Sequence, residues 1–181
     1  MTHERLDAWI DAHFDEQVAF LQQLVRVPTD TPPGNNAPHA ERTAELLAGF
    51  GYTAEKHAVP ASDVHAQGME SITNLIVRRR FGDGGRTVAL NAHGDVVPPG
   101  DGWTHPPYGG EVADGKLYGR AAAVSKSDFA TYTFALRALE ALGIRAPQVR
   151  HGRLLVLQGR VARAGERHLP LARGQAHEEG V

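Results

Sequence analysis

A histidine and a carboxylate two residues apart, His93 and Asp95, stand directly after the short apolar run Thr87-Val88-Ala89-Leu90-Asn91-Ala92. In an extended chain, residues i and i+2 lie on one side. An imidazole at 93 can therefore offer one ring nitrogen to a divalent cation while the carboxylate at 95 accepts the N–H of the other. Metal-bound imidazoles nearly always carry such an oxygen partner, which sets tautomer and ring orientation. The run before the pair follows Gly82-Asp83-Gly84-Gly85 and reads as a buried strand that delivers His93 to a sheet edge. A bare His-x-Asp pair recurs by chance, however, so the pair alone does not make a metal site. With no cysteine in the 181 residues, thiolate ligands and disulfides are excluded, and any cation must be held by His and carboxylate.

The pair heads a longer ordered block. His93-Gly94-Asp95-Val96-Val97-Pro98 is followed by Gly100-Asp101-Gly102-Trp103, Pro107-Tyr108-Gly109 and Asp114-Gly115-Lys116-Leu117-Tyr118-Gly119-Arg120. In this order the parts resemble the zinc amidohydrolase family of aminoacylase, acetylornithine deacetylase, succinyl-diaminopimelate desuccinylase and glutamate carboxypeptidase, over Asp7 to Ala146. The resemblance implies an α/β fold, the N-terminal part of a catalytic domain with helices flanking a mixed sheet. It implies hydrolysis of an amide in an N-acyl amino acid or small peptide, with one or two Zn ions, or Co or Mn in their place. His93 then corresponds to the first metal ligand and Asp95 to the residue that orients it.

The family's metal-bridging aspartate falls in G-R-G-x-x-D-x-K. Here Gly119-Arg120-Ala121-Ala122-Ala123-Val124-Ser125-Lys126 keeps the lysine in register but carries Val124 at the aspartate position, and valine has no donor. Asp128 lies one turn later on the helix expected here, on the same face, and is the nearby carboxylate that would substitute as a metal ligand. An ordinary acidic residue at a helix start is the competing reading. His93 and Asp128 are expected to converge at the C-terminal edge of the sheet. The family's Glu-Glu pair, which supplies the general base and a ligand, has no recognisable counterpart; Glu178-Glu179 lacks the expected strand before it. His105, next to Pro106-Pro107, reads as a loop residue rather than a ligand. The expectation is an incomplete site, weak zinc binding and near-background hydrolysis.

The elements that must position these residues follow from periodicity. Leu6, Trp9, Ile10, Phe14, Val18, Phe20, Leu21, Leu24 and Val25 recur at helical spacing, which predicts one amphipathic helix over Glu4 to Val27, stopped by Pro28. A second helix is expected from Pro38 or His39 to Gly51, and strands over Tyr52 to Val59 and Asn74 to Phe81. Asp114-Gly115 predicts a hairpin between Glu111-Val112-Ala113 and Lys116-Leu117-Tyr118. A helix should run from Ala122 to Leu142. The three arginines ending the Asn74 strand read as solvated charge rather than a phosphate site. From Ile144 onward lysine, aspartate and aromatics are absent. Residues 147–181 therefore read as an atypical tail, truncated or frame-shifted relative to the 1–146 domain, with one strand over Gly152 to Gln158 and weak order beyond.

Net charge of −2 gives no electrostatic footprint for nucleic acid or an anionic membrane, and 41% apolar residues allow a real core. No stretch reads as a secretion signal or a membrane span. A cytoplasmic protein with a small-molecule substrate is expected, with a homodimer or partner chain covering the exposed sheet edge. Two alternatives remain open. One is a non-catalytic binding or regulatory module completed by a partner chain; the other is a nucleotide-binding α/β domain using Gly82 to Gly85.

Overall fold

In the computed structural model, which describes residues 2–81, 88–144 and the strand 153–158, the stretch from Leu6 to Val25 forms two helices rather than one. These are α1 (Thr2–Ala12) and α2 (Phe14–Val25). The break at His13 has a local cause. A continuous helix would bond the His13 N–H to the Trp9 carbonyl, but that carbonyl meets the His13 ring at 2.7 Å, and the backbone N–H turns to Ile10 instead. The imidazole also stacks on the Trp9 ring at 3.8 Å.

After α2 come α3 (Ala37–Gly49), β1 (Ala54–Ala58), a six-residue α4 (Ala61–Ala66) that no apolar period announces, and β2 (Thr73–Arg80). β3 (Val88–Asn91), the hairpin β4 (Glu111–Ala113) and β5 (Lys116–Tyr118), α5 (Lys126–Ala141) and β6 (Arg153–Gln158) complete the order. The hairpin turns as expected at Asp114-Gly115, where both residues take positive φ.

The main sheet is mixed, in the order β1-β2-β6-β3. β2 pairs antiparallel with β1 and β6, and β3 pairs parallel with β6. β6 thus lies between β2 and β3, although it follows the expected change in character at 147. The expectation of a buried strand before His93 needs correction. β3 is an edge strand of the described sheet, with Val88 48% exposed, because the strand is only four residues long and one flank is unpaired.

Phe20, Leu24, Leu47, Tyr52, Val77, Phe129 and Phe134 form the buried centre, where α2, α3 and α5 meet β2. Arg137 closes its rim, with its guanidinium 4.0 Å from the Phe50 ring centroid and an ion pair to Glu16 at 2.7 Å. At the end of β2, Arg78 pairs with Glu55 and Arg79 with Glu140, which fits solvated charge. No helix among the described residues is long and apolar enough to cross a membrane. Gly82 to Gly85, the expected domain boundary at 146 and Glu178-Glu179 lie outside the described residues.

Candidate functional site

Pro28 ends α2, and the extended residues that follow become a strap beside the chain leaving β3. Thr31 N–H donates to the Val96 carbonyl at 2.7 Å, Val96 N–H donates to the Thr29 carbonyl at 3.1 Å, and the buried Thr29 hydroxyl donates to the Gly94 carbonyl at 2.6 Å. The His93-Gly94-Asp95-Val96 segment is thereby held along one side by backbone bonds. The side chains of His93 and Asp95 are half-exposed, while Val96 is buried. His93 Nδ1 sits 3.2 Å from Asp95 Oδ1 and 3.1 Å from the Asp95 carbonyl. With its proton on Nδ1, the ring turns the lone pair of Nε2 away from Asp95, the tautomer a metal-binding imidazole needs.

The other side of the segment is held by the turn before α5. His93 N–H donates to Ser125 Oγ at 2.9 Å, and the Ser125 hydroxyl donates to Asp128 Oδ2 at 3.3 Å. Here a second expectation fails. The helix begins at Lys126, not Ala122, because Ala121 (φ 65°) and Ser125 (φ 57°) take left-handed backbone that no α-helix admits. Val124 lies in that turn, 56% exposed. It shares no helical face with Asp128, and the register argument for the substitution is lost. Asp128 reaches the neighbourhood of His93 by another route, in the first turn of α5 through Ser125 Oγ.

Lys126, which keeps the family register, is fully buried. Its ammonium donates to the carbonyls of Leu24 (3.1 Å), in the last turn of α2, and Val27 (2.8 Å), just beyond it; the Leu24 carbonyl also accepts the Val27 N–H at 3.3 Å. Burial pulls its pKa down to about 8, and the Asp30 carboxylate opposes that shift. Asp30 also accepts a bond from the Tyr108 hydroxyl, which burial and then this bond push above the ordinary tyrosine value. Beneath lies His39, buried against the edge of Phe129, its pKa lowered to about 3 by burial and by nearby Lys126.

The donor set can now be weighed. Among the described residues no three His, Asp or Glu side chains gather into a group that could hold a metal ion. One imidazole with its orienting carboxylate fits a corner of a zinc site, not the three or four protein ligands such a site needs. Two glutamates among the described residues that could serve as a base are engaged elsewhere. Glu111 is bonded to His105, which stacks on Tyr118 at 3.9 Å and braces the hairpin, and Glu140 is bonded to Tyr52 and Arg79. A cleft of about 260 Å³ borders the strap, but its single carboxylate is the already bonded Asp30. Sequence reasoning missed Ser125, Thr29 and Asp30; the Thr-Asp after Val27-Pro28 carries no signal beyond a turn cluster.

Residues 89–150 match peptidase family M20/M25/M40. Succinyl-diaminopimelate desuccinylase from Rhodospirillum centenum is 37% identical over 123 residues, covering 67% of this chain and 30% of the relative. The enzyme of that name from Wolinella succinogenes is 34% identical over 123 residues, covering 68% and 30%. The chain thus spans about 30% of the length of these curated relatives. In structure it resembles human carnosine dipeptidase 1, with a TM-score of 0.63, 23% identity, and 84% of this chain and 34% of that one covered. It also resembles the dipeptidase Dug1p of Saccharomyces cerevisiae, with a TM-score of 0.65, 16% identity, and 87% and 35% covered. At such identities the likeness concerns the fold, an α/β arrangement shared with their catalytic domains. By sequence, this chain matches peptidase family M20/M25/M40 over residues 89–150 and corresponds to the N-terminal part of that family's members.

Proposed function

We propose that the chain supplies the first-ligand part of a metal-dependent amide-hydrolysing centre, with an N-acyl amino acid or small peptide as substrate. The observation that carries the reading is the His93–Asp95 pair at 3.2 Å, at the end of β3 and inside the segment that matches the family. The named relatives extend it to an N-succinyl amide or a dipeptide, and zinc is the proposed ion, with cobalt or manganese as substitutes. His93 is the ligand and Asp95 its orienter; Asp128, tied to the same turn, is the candidate second carboxylate. No further ligand group gathers among the described residues, so the described part by itself should not turn over substrate. Such a protein would work in the cytoplasm, as a homodimer or beside a partner chain.

Zinc titration of the purified protein by calorimetry, followed by turnover of N-succinyl and N-acetyl amino acids and dipeptides, tests the reading. Weak 1:1 binding is expected. His93→Ala should abolish it and Asp95→Asn should weaken it by about 10- to 100-fold, because an unoriented imidazole is a poorer ligand. Zinc binding untouched by both substitutions would remove the proposed centre.

A further inference from the structure

The turn before α5 contains two adjacent residues whose side chains point to different parts of the molecule. The Ser125 hydroxyl reaches forward to the His93 segment, accepting the backbone N–H at 2.9 Å. The Lys126 ammonium reaches back to Leu24 and Val27 at the end of α2, a bond across about a hundred residues of chain. Ser125 holds this geometry at φ 57°, a conformation that a serine adopts only when its surroundings impose it. A buried lysine with two carbonyl acceptors is such a surrounding. Lysine is costly to bury, and it remains here because its ammonium donates to the Leu24 and Val27 carbonyls at the end of α2.

We propose that Ser125 and Lys126 act together as the positioning element for His93. Lys126 clamps the turn to the end of α2, and the clamped turn presents Ser125 Oγ at the one height where it can take the His93 N–H and fix the imidazole over Asp95. Neither is a catalytic residue. The inference rests on the reading above only in calling His93 a ligand; the brace is a property of the protein without metal.

The test is amide hydrogen exchange by NMR on the full-length, metal-free chain, comparing Ser125→Ala and Lys126→Met with the unaltered protein. Both substitutions should speed exchange at the His93 amide by about tenfold or more, while α3 amides such as Ala44 and Leu47 keep their rates. The His93 ring signals should also move, which loss of bulk stability alone would not produce. Wild-type exchange at His93 in either folded variant, or a rise spread evenly over α3, overturns the proposal. If Lys126→Met does not fold, Lys126→Gln, which keeps a neutral and shorter N–H donor group, takes its place: a rise confined to His93 and the end of α2 supports the brace, and a uniform rise defeats it. Zinc titration of the same samples separates the two ideas. Selective loss of His93 protection in a chain that never binds zinc leaves the brace standing and removes the proposed function. Zinc bound equally by all variants, with His93 protection unchanged, does the reverse.

Discussion

The end of α2 and the rim around His93 lie on either side of the same short turn, and they differ in how completely their groups are partnered. At the end of α2, Gln22 donates to the Gly110 carbonyl, Arg26 to the Gly109 carbonyl, and Lys126 closes the last carbonyls from below. At the rim, His93 and Asp95 have each other, Val97 and Val124 face solvent, and no third ligand arrives among the described residues. The framework that would hold a metal site is closed, while the donor set is open. Positioning and ligation are thus separable here, because the first depends on packing and backbone bonds and the second on a few exposed side chains.

The sharpest way to break the comparison is to cut into each side. Phe134→Ala, a fully buried ring packed against Phe20 and the partly buried Phe50, should cost about 3–5 kcal/mol, whereas Val124→Ala at the rim should stay within about 0.5 kcal/mol. Chemical denaturation reads both, and equal effects would mean the rim is part of the core.

Next in size is an acid sensitivity confined to the framework. His39 is held at about 3 in the folded chain against an ordinary value of 6.5, so between these values the unfolded chain binds a proton that the folded one refuses. Stability contributed by the neutral imidazole is present above about 6.5 and drains away as pH falls toward 3, by an amount on the order of a few kcal/mol. His39→Gln should flatten the stability profile in that window; an unchanged slope would show that other groups dominate it.

A smaller effect is expected where the hairpin meets α2. A Cβ on Gly119 would collide with a methyl of Val25, so Gly119→Ala should cost about 1–3 kcal/mol through overpacking. A melting temperature equal to that of the unaltered chain would show that the contact yields freely. The smallest change addresses the open donor set. Val124→Asp restores a carboxylate at the exposed turn and should tighten zinc binding by about tenfold without lowering the melting temperature. No gain in affinity would place the turn too far from His93 to share an ion.

Several elements could be read from residues alone because their signals are local. Asp114-Gly115 names its turn, Pro28 stops α2, and the contiguous apolar run Leu75-Ile76-Val77 marks β2. The His93–Asp95 relation follows from the two-residue repeat of an extended chain. Other features escaped for equally physical reasons. The break at His13 depends on a side chain competing for one carbonyl within an unbroken apolar period, and the late start of α5 depends on left-handed backbone at Ala121 and Ser125, residues with no turn signature.

The chain's order of residues therefore determined which groups are available: an imidazole, its carboxylate two residues on, a lysine in register and a valine where a ligand would stand. It also determined the elements whose periods are short enough to be carried by neighbours. Only the tertiary structure decided that Ser125 lies against His93, that Lys126 is buried beneath α2 rather than solvated, that the strand before His93 is an edge, and that Asp128 bonds Ser125 while Val124 stays outside the helix. Those relations join residues tens of positions apart, and they exist because burial and unsatisfied backbone groups, not sequence spacing, choose the partners.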